Sequence, residues 1–125
     1  MHAAAPILIV PAVPMAVADV RRYVVDACIA SGWAGSAETV AVLVSEIATN
    51  AVLHADGHKL RVRVLEVGLR LRIEVRDGSP KLPIPRRAPS HAENGRGLAL
   101  VDALATRWGV EAQLDGKTTW FEIEV

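Results

Sequence analysis

Residues 69–76 read Leu-Arg-Leu-Arg-Ile-Glu-Val-Arg, and no other stretch constrains the fold as tightly. In an extended strand Leu69, Leu71, Ile73 and Val75 point one way, and Arg70, Arg72, Glu74 and Arg76 the other. One face of this strand is therefore buried, and the arginine-rich face is solvated. Residues 60–64 repeat the pattern, with Leu60, Val62 and Val64 alternating with Arg61 and Arg63, and a turn near Gly68 joins the two strands. Residues 108–114 and 117–124 flank Asp115-Gly116, a two-residue hairpin signal. Residues 7–10 form a short apolar run between prolines, which suits an edge strand.

Helical spacing appears elsewhere. After Pro14, the residues Val17, Val20, Val24, Ala27 and Cys28 recur on one face up to Ser31-Gly32. A second helix starts at Gly35-Ser36, carries the stripe Val40, Leu43, Val44, Ile47 and Ala51, and ends at Asp56-Gly57 after His54. Residues 79–95 lack periodicity and hold Pro80, Pro83, Pro85 and Pro89, so a long loop is expected, of the functional kind. A third helix is expected over 97–107, with Leu98, Val101 and Leu104 on one face. Together these elements predict a single α+β domain over 1–125. It would be a two-layer sandwich with helices over one face of a mixed, mostly antiparallel sheet.

Fourteen basic residues balance fourteen acidic ones, which gives no electrostatic basis for nucleic-acid binding. A lone cysteine, Cys28, at an apolar helix position reads as a buried structural thiol and points to a reducing cytoplasm. The apolar run 3–18 is broken by Pro6, Pro11 and Pro14, is preceded by no lysine or arginine and is closed by Asp19. It suits neither a membrane span nor a signal peptide.

Three features carry chemistry. Glu46 and Asn50 are four apart, so they share one margin of the second helix, where core gives way to a cleft. A carboxylate there can deprotonate a nucleophile, and an amide oxygen is a hard ligand suited to Mg²⁺. An ordinary amphipathic border fits the same pair. Asp77 continues the buried phase of residues 69–75, so its carboxylate points inward and needs a donor, which an adenine amine can supply. Gly78 beside it leaves room for a flat ring. A plain turn over Asp77-Gly78-Ser79-Pro80 fits too. Third, Gly95-Arg96-Gly97-Leu98 opens the third helix, where bare amides and the helix dipole favour phosphate. No P-loop pattern occurs.

Taken in order, these segments resemble the GHKL (histidine kinase-like) ATPase superfamily, and most of all the short anti-sigma-factor serine kinases of the RsbW type. The similarity rests on residues 44–55, 75–80, 95–101, 108–109 and 116–122. It implies an ATP site with Mg²⁺ bound at Asn50 and Glu46 as general base. Asp77 and Gly78 would lie at the adenine. Gly95, Arg96, Gly97 and Leu98 would lie at the phosphates, with Thr118 supporting the base. Strand phase, however, turns Thr119 rather than Thr118 towards Phe121 and Ile123. The resemblance further implies a serine/threonine protein kinase acting on a STAS-type anti-anti-sigma protein, a sigma factor as second partner, and a homodimer. A nucleotide-dependent binding regulator with little turnover is the alternative. His54 lies on the apolar side of its helix, so a packed core histidine is expected. Two departures stand out: Pro80-Lys81 replaces the second glycine of Asp-x-Gly-x-Gly, and Leu53 stands where many histidine kinases carry a basic residue.

Overall fold

The computed structural model describes residues 6–55, 58–78 and 92–124, without the side chains of 55 and 92–97. In chain order it contains β1 (Leu8–Pro11), α1 (Ala16–Ala30), a 3-10 turn (Ala34–Ser36), α2 (Ala37–Ala55), β2 (Lys59–Val67), β3 (Arg70–Asp77), α3 (Ala92–Leu104), β4 (Arg107–Gln113) and β5 (Gly116–Glu124). The strands form one sheet in the order β1-β2-β3-β5-β4, and every ladder is antiparallel. The helices cover one face, so the architecture is the expected α+β sandwich, but the sheet of the described residues is wholly antiparallel and not mixed, because every ladder joins strands of opposite direction.

Burial follows the phase of β3. Leu71, Ile73 and Val75 are inaccessible, and Ile73 faces Phe121 while Leu71 faces Ile123 across the ladder to β5. Leu69 departs from the expected inward row. It sits with Gly68 in the two-residue link between Val67 and Arg70, where Gly68 takes a positive φ of 62°, and it is exposed. The second hairpin also shifts by one. Leu114 and Asp115 form its turn, and Gly116 is the first residue of β5.

Helix α2 is the centre of the packing. Its residues Val40, Leu43, Val44, Ile47, Ala48 and Ala51 are buried, and it lies against α1, α3, β2, β3 and β5. Over Ala34–His54 the chain has the length and hydropathy of a membrane span, yet this buried stripe places the helix in the protein core. Two expectations on this helix differ in outcome. The Asp56-Gly57 stop lies outside the described residues, and His54 is exposed rather than packed in the core. Cys28 is buried as expected. Its Sγ approaches the Trp33 carbonyl at 3.1 Å, and burial pushes the thiol pKa up, which keeps it protonated and unreactive.

The outer face of the sheet is an arginine–carboxylate lattice. Arg72 bridges Glu74 at 2.8 Å and Glu122 at 3.0 Å, and Arg63 reaches Glu74 at 2.6 Å. Arg72 also stacks 4.0 Å over Trp120, whose indole lies so close to Gly109 that a side chain there would collide with it. Burial alone would raise the Glu74 pKa, but hydrogen bonds from Arg72 and Arg63 outweigh it and hold the carboxyl below its usual 4.5. A depressed folded-state pKa gives stability that is present above pH 4.5 and lost as pH falls through the lowered value. In urea unfolding, the gap between wild type and Glu74→Gln should therefore narrow below that pH. A gap that stays constant across the acid range would contradict the linkage.

Candidate functional site

Asp77 is the last residue of β3 and only 1% exposed. Its cross-strand neighbours are Leu60 on β2 and Lys117 on β5. The Lys117 Nζ donates to Asp77 Oδ2 at 2.7 Å, with side-chain exposures of 15% and 2%. The inward carboxylate expected from the strand phase is thus present, and the chain itself supplies one donor. Burial of Asp77 therefore does not by itself require a ligand. Lys117 escapes a reading that looks only at motif residues, although the signal exists: Lys117, Thr119, Phe121 and Ile123 alternate onto the core side of β5.

Next to this pair the backbones of β3 and β5 touch. A Cβ added at Gly116 would run into the Asp77 carbonyl and come within 3.2 Å of the Gly78 Cα. Among the described residues, a Cβ at Gly78 would meet ordinary contact, 3.7 Å from the His58 Cβ. Among the described residues, close backbone approach requires a glycine at 116.

On α2, Glu46 and Asn50 are both half-buried, about 40° apart around the helix. Ile47, Ala48 and Ala51 point into the core and fix the rotation that sets this pair at the helix margin. Topology then brings α2 towards Asp77. Two residues separate Ala55 from His58, and Leu60, just beyond, pairs with Asp77. The C-terminal end of α2, the start of β2, the end of β3 and the start of β5 thus meet at one end of the sheet. Asn50 lies about 7.5 Å along the axis from Ala55, and Glu46 one turn further.

Two assignments are placed differently. The third helix begins at Ala92 and ends at Leu104, not over 97–107, so Gly95, Arg96 and Gly97 lie within its first turns and do not open it. Of the four residues, Leu98 is half-buried, and the side chain of Arg96 lies outside the described residues. Thr118 pairs with Arg76 and Glu111, on the face away from Asp77, and its hydroxyl bonds Gln113 Oε1 at 3.3 Å. Thr119 pairs with Val75 and shares the face of Asp77.

The chain is thus an α+β sandwich with a polar pair on its central helix and a buried acid at the tip of β3. The family model described as histidine kinase-like ATPase domain matches residues 10–123, and the chain belongs to that family. Over 76 residues it is 41% identical to an uncharacterized protein of Streptomyces coelicolor, covering 54% of this chain and 71% of the relative. The domain is thus an ATP-binding one, and its residues fit that ligand. Asp77 offers a fixed acceptor at a strand tip where Gly116 lets the β3 and β5 backbones approach closely. Asn50 offers a hard oxygen at the margin of α2. That donor set suits Mg²⁺, which takes few protein ligands and completes its shell with phosphate oxygens and water.

Proposed function

We propose that this domain is a serine/threonine protein kinase that phosphorylates a STAS-type anti-anti-sigma protein and otherwise holds a sigma factor. The reading is supported by Glu46 one turn before Asn50 on the margin of α2, a helix whose C-terminal end connects through two residues to the strand that pairs with Asp77. ATP with Mg²⁺ supplies the transferable phosphoryl group. Asp77 orients the base, Asn50 holds the metal, and Glu46 accepts the proton of the attacking hydroxyl. Positioning and charge neutralisation do most of the work in such a transfer, so few protein groups are needed. The reading places the protein in the cytoplasm, as a regulator of transcription that does not itself contact nucleic acid or membrane. A homodimer fits the exposed apolar residues Ile7 and Ile9 at the β1 edge.

Incubation with γ-labelled Mg-ATP and a purified STAS-domain protein tests this. Label should appear on a serine or threonine of that protein, and Glu46→Ala should reduce the rate by about 10²–10⁴-fold with nucleotide affinity retained. Tight ATP binding with no transfer to any STAS protein would replace the kinase with a nucleotide-dependent binding regulator.

A further inference from the structure

We propose that a second site, on the opposite face of the sheet from Asp77, binds a phosphate group. A cavity of about 280 Å³ is lined by His58, Lys59, Arg61, Arg76, Gly78 and Asp115. Lys59 and Arg61 alternate with the buried Leu60 and Val62, so both project from the outer face, where Arg76 joins them. Arg61 and Arg76 stand directly opposite each other in the β2–β3 ladder. Like charges in that position repel, so the arrangement costs stability unless an anion lies between them.

The charges on the page do not cancel. Arg76 pairs with Asp115 at 2.6 Å. Among the described residues, Lys59 and Arg61 form no ion pair. Three fixed cations against one carboxylate leave two positive charges around the cavity, and His58 contributes a further nitrogen donor. This differs from the rest of the outer face, where Arg63, Arg70, Arg72 and Arg107 all engage glutamates. The balanced part of the lattice ends where the cavity begins. Two guanidinium forks on adjacent strands suit a tetrahedral oxyanion of charge near −2. The ligand class is therefore phosphate, free or as a monoester.

Amide NMR shifts on titration with sodium phosphate or O-phosphoserine, without Mg²⁺ and against sodium chloride at equal ionic strength, test the site. Saturable shifts should centre on His58, Lys59, Arg61, Arg76 and Gly78. The Lys59→Gln/Arg61→Gln variant should bind about tenfold more weakly and keep the wild-type affinity for Mg-ATP. Tighter binding of phosphoserine assigns an esterified phosphate, and equal or tighter binding of inorganic phosphate assigns the free anion. Shifts that do not saturate, that match the chloride control, or that persist unchanged in the variant would overturn the site. ATP binding is measured separately, so loss of this site leaves the kinase reading untouched.

Discussion

Gly116→Ala should destabilise the protein by about 3 kcal/mol, lowering its melting temperature by on the order of 10 °C. The added methyl would overlap the Asp77 carbonyl, which belongs to the β3–β5 ladder, while Gly116 itself is paired with Gln113 of β4. No side-chain rotation relieves such an overlap, so the strands must part at the point where Asp77 is held. The same substitution at Gly78 should be nearly neutral in stability, because its nearest neighbour is 3.7 Å away. Thermal unfolding of the two variants side by side checks the contrast. Equal melting temperatures would show that the β3–β5 approach is not as close as described.

Lys117→Met should cost roughly 3 kcal/mol, the low end for breaking a buried ion pair, since Asp77 keeps other interactions. The variant leaves a 2%-exposed carboxylate without its ammonium partner. Replacing both members is a different matter. In Lys117→Met with Asp77→Leu, the new leucine extends the row Leu71, Ile73 and Val75, and most of the lost stability should return in urea unfolding. Recovery would mean that the pair is not kept for stability, and that the charge at the strand tip serves binding. If the double variant is as unstable as the single, the pair itself holds the β3–β5 end together.

Legibility in the sequence tracked locality. The inward aim of Asp77 could be read because period-two alternation runs unbroken from Leu71, and burial confirms it. The margin position of Glu46 and Asn50 could be read from the helical stripe for the same reason. What escaped depends on partners distant in sequence. Lys117 meets Asp77 only through a strand register across forty residues. Gly116 is required by a backbone on another strand, and as part of Asp115-Gly116 it looked like a turn residue. Thr118 resembles a family position, yet the β5 ladder turns it to the outer face. The aperiodic stretch up to Gly95 and the stripe Leu98, Val101 and Leu104 imply a helix start at residues 95–97, but the helix extends through both glycines from Ala92.

Calorimetric titration of Mg-ATP into wild type and Asp77→Asn tests the central claim most directly: the carboxylate at the tip of β3 reads the nucleotide base. Wild type should bind, and the folded variant should bind roughly ten- to a hundredfold more weakly, the effect of losing a hydrogen bond to a charged acceptor. A variant with native circular dichroism and unchanged affinity would contradict it.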